Sequence, residues 1–181
     1  MQHNQNEKEI LFSKEPPVSI DPLAFRQVMR RLVTGVTLVT TRDGDHIHGM
    51  TANTFTSVSL TPVLVLVSVM NDSTTYRFIS RTGIFAVNIL SARQRALAQR
   101  FAHQVALPPD PFADIPRHTR KTGAPILDDC IAFVDCKVVA AHAAGDHTIF
   151  IGEVLELGFG QAKDADPLVW LDGKYGSAHN R

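Results

Sequence analysis

Residues 48–62 read HGMTANTFTSVSLTP, and residues 63–70 continue directly as VLVLVSVM. Six hydroxyl side chains (Thr51, Thr54, Thr56, Ser57, Ser59, Thr61) and the amide of Asn53 thus stand at the mouth of the most apolar run in the chain. Threonines line strands for structural reasons, because a β-branched side chain suits a pleated surface. A binding surface is the competing reading. Alternation puts Ser57 and Ser59 on one face and Val58 and Leu60 on the other. The short link Leu60-Thr61-Pro62 makes the two runs antiparallel neighbours.

The pattern extends outward from there. VTLVTT (36–41) is a strand joined to the stretch from His48 to about Ser57 through RDGDH, where Asp43-Gly44 signals a hairpin turn. Upstream, Asp21 caps a helix with Pro22 at its first position. Phe25, Val28, Met29 and Leu32 then recur at helical spacing, Arg26, Arg30 and Arg31 fall on the wet side, and Gly35 closes it. Downstream, NDSTTYRFISRTG reads as a capped helix ending at Gly83, IFAVNIL (84–90) as a strand, and SARQRALAQRFAHQ as a helix opened by Ser91. Residues 104–125 hold five prolines and form a long connection, a candidate lid or partner-facing loop. Two long strands follow, about 126–142 and 148–158, with a last short one in PLVWLDGKYG. Six or seven mostly antiparallel strands with peripheral helices predict a mainly β domain built as a closed or nearly closed barrel over residues 19–181. Residues 1–18, polar and carrying Pro16-Pro17, read as a flexible arm.

Composition excludes several classes of function. The 181 residues suit one domain, and 44% apolar with 20% charged residues describe a soluble globular chain. Eighteen basic residues balance eighteen acidic ones without a Lys/Arg block, so neither nucleic acid nor a membrane surface is an expected partner. The start lacks a signal peptide's apolar core, and no apolar run approaches the roughly 20 residues that span a bilayer. Cys130 and Cys136, in one strand-like segment, would lie about 20 Å apart, far beyond the roughly 7 Å a disulfide allows. Two free thiols fit a cytoplasmic location. No phosphate-loop, Rossmann, GxSxG or HExxH pattern occurs, and the eight histidines are scattered, so no metal site is expected.

Three stretches remain: GMTANTFTSVSLTPVLVLVSV, IFAVNIL and GDHTIFIGEV, in that order. Together with the terminal Tyr175 they resemble the short-chain flavin reductases, the split-barrel reductases that serve two-component monooxygenases, over about Phe25 to Tyr175. The resemblance implies an FMN-binding antiparallel split β-barrel, a homodimer, and hydride transfer from NADH or NADPH to FMN or FAD for a separate monooxygenase component. Such transfer needs no protein nucleophile; it needs two rings stacked about 3 to 3.5 Å apart, which is positional catalysis. A flavin offers an apolar ring, a polyhydroxyl chain and a phosphate, and hydroxyls with an amide over an apolar floor can hold it without strong charge.

By resemblance, Thr51, Ala52, Asn53, Ser57, Val58 and Ser59 border the flavin. Ser73 and Thr75, at a helix start where free N–H groups favour an anion, either cradle its phosphate or cap the helix. Asn88 interrupts an apolar strand, so if buried it must be hydrogen-bonded; the family's VN pair favours a place near the flavin. Phe101 is either a flavin contact or a core aromatic. His147, in the turn GDH, matches the family's residue beside the nicotinamide ring, and Tyr175 matches a second residue there. The scarcity of arginine near GDH favours NADH, since a 2′-phosphate wants cationic partners. Two alternatives stay open: a split-barrel FMN oxidase of another substrate, such as pyridoxine phosphate, and a flavin-binding module without turnover.

Overall fold

The computed structural model describes residues 19–179, so the expected arm at 1–18 lies outside the described residues. The chain runs α1 (Pro22–Met29), β1 (Thr34–Gly35), β2 (Thr37–Asp43), β3 (His46–Ala52), β4 (Phe55–Leu60), β5 (Val63–Met70), α2 (Thr74–Thr82) and β6 (Ile84–Ile89). A 3-10 turn (Ala92–Gln94) leads into α3 (Arg95–Phe101). The strands β7 (Arg117–Thr119), β8 (Pro125–Leu127), β9 (Ala132–Ala144), β10 (His147–Phe159), β11 (Leu168–Leu171) and β12 (Lys174–Ser177) follow. No helix among the described residues is long and apolar enough to cross a membrane.

Seven strands form one antiparallel sheet in the order β3-β2-β6-β9-β10-β5-β4. Its two edge strands, β3 and β4, are consecutive in the chain and joined only by Asn53 and Thr54. Two residues span at most about 7 Å beyond the strand ends, so the sheet must curl until its edges meet. The result is a barrel split along one seam. The expected single strand from His48 to Ser57 is therefore two strands, because the seam link has to turn the chain from one edge to the other.

Alternation sorts the strands onto two cores. Val39, Val65, Val67, Val69, Phe85, Val87, Cys136 and Phe150 fill the barrel, with Ile79 of α2 joining them. Leu38, Ala86 and Phe133 point the other way and pack under Ala98 and Phe101 of α3, with Phe112, Ile126 and Leu127. β2 from Thr37 to Thr41 and β6 from Phe85 to Asn88 are buried on both faces.

Local chemistry accounts for most element ends. Asp21 accepts from Leu23 N and Pro22 opens α1; Ser73 caps α2, and Gly83 closes it at φ 68°. Ser91 and Gln94 form a capping box at the 3-10 turn. Gly44 and Gly145 take positive φ at two hairpin turns, and Asp172-Gly173, both left-handed, turn β11 into β12. The expected last strand is thus a hairpin.

Other expectations need correction. α1 ends at Met29, and Gly35 belongs to β1 instead of closing the helix. Among the described residues the apolar side of α1 covers nothing: Phe25, Val28, Met29 and Leu32 are all exposed. The strand expected over 126–142 breaks at Asp128–Ile131, so Cys130 precedes β9 while Cys136 lies in it; both thiols are free and buried. The proline-rich 104–125 segment is anchored, with Phe112 buried against Phe101 at 4.7 Å between ring centroids and Arg100 bonded to Asp114 at 2.6 and 2.9 Å. A Cβ on Gly152, which faces the barrel, would come 2.5 Å from Cζ of Phe85 and 3.0 Å from Cβ of Cys136. Gly152→Ala is expected to destabilise the fold by about 1–3 kcal/mol through overpacking, measured by urea unfolding; an unchanged midpoint would show that the ring has room to move.

Candidate functional site

The seam between β3 and β4 opens onto a cavity of about 230 Å³ lined by Val36, Thr51, Ala52, Asn53, Ala102, Gln104, Trp170 and Tyr175. Each wall has a local cause. β3 carries Thr51, whose hydroxyl donates to the Ala98 carbonyl of α3 at 2.8 Å and ties the strand to the helix. Asn53 sits on the seam link, exposed, with Nδ2 donating to the Thr34 hydroxyl at 3.1 Å and Oδ1 left with no partner among the described residues. β1 pairs with β11 so that Thr34 faces Trp170, and the β11–β12 hairpin sets Trp170 opposite Tyr175. These rings meet edge-on at 4.7 Å, and Arg95 lies over the Tyr175 ring at 5.9 Å. Burial raises the Tyr175 pKa against the opposing influence of Arg95 and Gln104, so its phenol stays a neutral donor.

The lining side chains are neutral: a threonine hydroxyl, two amides, an indole, a phenol and small aliphatic groups. That is the donor set a flavin or nicotinamide ring can use, with amides for ring carbonyls and nitrogens and an apolar floor for the π-face. The cavity alone takes a ring system; a whole dinucleotide exceeds it.

Thr51, Ala52, Asn53 and Tyr175 therefore come together, and the remaining expected residues stand elsewhere. Ser57, Val58 and Ser59 lie on the edge strand β4, where the register jumps from Ser57↔Val65 to Ser59↔Leu64. Val58 is bulged, so the simple alternation expected for this strand fails there. Ser59 Oγ accepts from Thr61 N at 3.2 Å. Ser73 uses its hydroxyl as a helix cap, accepting from Tyr76 N at 3.1 Å and donating to the Met70 carbonyl at 2.7 Å. Thr75 is buried and bonds His48 Nε2 at 3.0 Å.

Asn88 is fully buried, and its amide is matched on both sides. Nδ2 donates to the Leu38 carbonyl at 3.1 Å and the Thr40 hydroxyl at 3.2 Å, while Oδ1 accepts from Leu127 N at 2.8 Å. No atom of its amide is left for a ligand. Phe101 is a core ring packed on Phe112. His147 stands at the β9–β10 turn, Nδ1 bonded to Asp146 Oδ1 at 2.7 Å, outside the cavity wall.

Trp170, Gln104, Val36 and Ala102 were not anticipated. Trp170 had a legible signal: an Asp-Gly turn at 172–173 pairs the residues on either side of it, which brings Trp170 to Tyr175. Gln104 had none, since it follows a helix end with no motif. Burial pushes the thiols of Cys130 and Cys136 up to about 11 and about 12, so neither is a nucleophile at neutral pH.

Residues 29–179 match the family model described as flavin reductase like domain. The chain is 39% identical over 161 residues to an NADH-dependent flavin reductase of a Rhodococcus species, covering 87% of each. It is 35% identical over 156 residues to the reductase subunit HsaB of a flavin-dependent monooxygenase of Mycobacterium tuberculosis, covering 86% of this chain and 82% of that protein. The solved flavin reductase PheA2 superposes with a TM-score of 0.81 at 40% identity, covering 89% of this chain and all of that one.

His48 supplies a pH test. Burial first, then His103 and Arg77, hold its pKa below the usual imidazole value, so the fold favours the neutral ring. The unfolded chain's imidazole takes up its proton near pH 6.5, so His48 contributes stability above that pH and loses it as the pH falls below. His48→Gln is expected to flatten the decline in stability between neutral and acidic pH, measured as the difference in urea midpoints; parallel pH curves for both proteins would remove His48 as the cause.

Proposed function

Because the chain belongs to the flavin reductase like family, we propose that it is an NADH-dependent oxidoreductase that reduces FMN or FAD and hands the reduced flavin to a separate monooxygenase component. The observation that carries this reading is the neutral, two-amide cavity at the barrel seam, with Asn53 Oδ1 unmatched beside the Trp170–Tyr175 pair. A bound flavin supplies the ring that takes up hydride from the nicotinamide. The chain's residues bind and orient. Asn53 and Gln104 offer amides that both donate and accept, Val36, Ala52 and Ala102 keep water from the floor, and the Trp170–Tyr175 pair forms a rigid aromatic wall. No residue is assigned an acid or base role, since hydride transfer asks only for position.

The role of His147 at the nicotinamide belongs to this proposal; Asp146 holds its Nδ1 and leaves Nε2 free to meet a ligand. The monooxygenase partner is supported by the named role of the Mycobacterium relative as a reductase subunit. A cytoplasmic location is supported by the two free thiols.

A homodimer completes the proposal. The apolar side of α1 is exposed, with Val28 at 69%, as are Leu60 at 86% and Phe159 at 77% on the outer surface of the sheet. Apolar surface of this extent on one chain marks an interface, and a second copy would cover it. Leu60→Asp is expected to shift the protein from dimer to monomer in sedimentation velocity; a monomeric unsubstituted protein would refute the dimer.

Anaerobic mixing of the purified protein with NADH and FMN or FAD should bleach the flavin absorbance, and failure to bleach either flavin would sink the reductase reading. Asn53→Ala should weaken flavin binding about tenfold, the scale of one or two lost hydrogen bonds. Thr61→Ala, at the β4–β5 turn, should change it less than about twofold. Titration of intrinsic fluorescence, whose single tryptophan is Trp170 in the cavity wall, reads both variants directly.

A further inference from the structure

We propose that the chain has a second ligand site, separate from the flavin cavity, that binds a small organic anion: a phosphate or carboxylate carried on a compact apolar body. The site is a cavity of about 390 Å³ between the β2–β3 turn and the β7–β8 hairpin, lined by Arg42, Asp45, Ile47, Arg117, His118, Thr119, Gly123 and Pro125. Two arginines and a histidine face one acidic residue, Asp45, which is fully exposed and only 4.0 Å from Arg42. The carboxylate of Asp128, the other acid here, is bonded to His118 Nδ1 at 2.6 Å. Among the lining side chains, two guanidinium charges stand against the single carboxylate of Asp45.

The cationic groups are fixed in place and still hold unmatched donors. Arg42 Nε and Nη2 both donate to the Gly44 carbonyl, at 2.9 and 2.7 Å, so the guanidinium is locked while Nη1 makes no hydrogen bond among the described residues. Arg117 Nη1 donates to the carbonyls of Phe112 and Ile115 at 2.7 and 3.0 Å, and the guanidinium lies 5.6 Å from the Phe112 ring centroid; its Nε and Nη2 make no such bond. His118 borders the cavity, but its Nδ1 is bonded to Asp128 and its Nε2 is buried, so the two guanidinium groups are the donors that face the opening. A fixed guanidinium fork suits a planar or tetrahedral oxyanion.

The frame around these donors is equally rigid. The buried carboxylate of Asp135 accepts from Thr122 N at 2.9 Å and from the Thr122 hydroxyl, which pins the loop carrying Gly123. The Thr40 hydroxyl donates to the Pro125 carbonyl at 2.5 Å and pins β8 to β2. Gly123 takes φ 85°, and a Cβ there would stand 3.3 Å from Arg42 Cδ, so glycine preserves the opening beside the arginine. Ile47 and Pro125 supply the apolar wall for the ligand's body. Arg42 lies five residues along β2 from Thr37, the partner of Ala52 in the flavin cavity, which separates the two sites by about 17 Å at about 3.3 Å per residue.

Isothermal titration of the full chain with phenyl phosphate at constant ionic strength, with and without saturating FMN, tests this. One site per chain is expected, untouched by FMN, weakened about tenfold by Arg42→Gln or Arg117→Gln and strengthened about two- to threefold by Asp45→Asn. The last substitution alters only an exposed turn residue, so it keeps the test valid if either arginine variant folds poorly. Absence of saturable heat, displacement by FMN, or affinity indifferent to Asp45→Asn and Arg42→Gln would each overturn the proposal.

Discussion

The two-residue link of Asn53 and Thr54 constrains everything else in this molecule. It joins strands that are the opposite edges of one seven-stranded sheet, so the sheet cannot lie open. Curling it sends one face of β2, β5, β6, β9 and β10 into the barrel and the other face of β2 and β6 outward under α3 and β8. The seam also leaves a place where backbone and polar side chains meet solvent beside an apolar interior. A rigid cavity with few polar groups can form there without disturbing a ladder, and that is where Asn53 stands.

The buried amide of Asn88 holds the outer layer to this frame. It bonds β2 through Leu38 and Thr40 and β8 through Leu127 N, from a position in β6. Removing the amide would strand a buried N–H and a buried carbonyl at about 1–3 kcal/mol each. Since Thr40 in turn donates to Pro125, the same small network positions the hairpin that walls the second cavity. One polar cluster in an apolar layer thus sets the geometry at both ends of the β2–β3 hairpin.

Much of this was legible in the chain because short-range chemistry decided it. Ser73 and Gly83 bound a helix, Asp43-Gly44 turns a hairpin, and VLVLVSVM alternates as a half-buried strand, each by rules that act within a few residues. The requirement that a buried Asn88 be hydrogen-bonded was equally readable, but its partners were not, since Leu127 lies 39 residues away. The break at Asn53–Thr54 was invisible for a related reason: nothing local forbids an extended chain there, and only the pairing of β3 and β4 with different neighbours imposes the turn. Val58 fell to a bulge, which depends on the register with β5. Thr75, expected from its helix position either to cradle a phosphate or to cap the helix, bonds His48 of β3.

The hydroxyl-rich stretch shows how structure divides labour among similar residues. Thr51 donates to the Ala98 carbonyl of α3, Thr54 donates to the Ser68 carbonyl of β5, and Ser59 accepts from Thr61 N at the β4–β5 turn, so these hydroxyls are spent on backbone groups. Such ties satisfy polar groups at modest net gain, near 1 kcal/mol each, and they hold the cavity's rim still. Asn53 differs because its amide has two ends: Nδ2 is anchored to Thr34, and Oδ1 has no partner among the described residues. A hydroxyl used structurally has little left for a ligand, whereas an anchored amide with a spare acceptor is already oriented and costs little further entropy on binding. The one amide among the hydroxyls is therefore the side chain with an acceptor to spare, and the Thr34 hydroxyl of β1 keeps it in place.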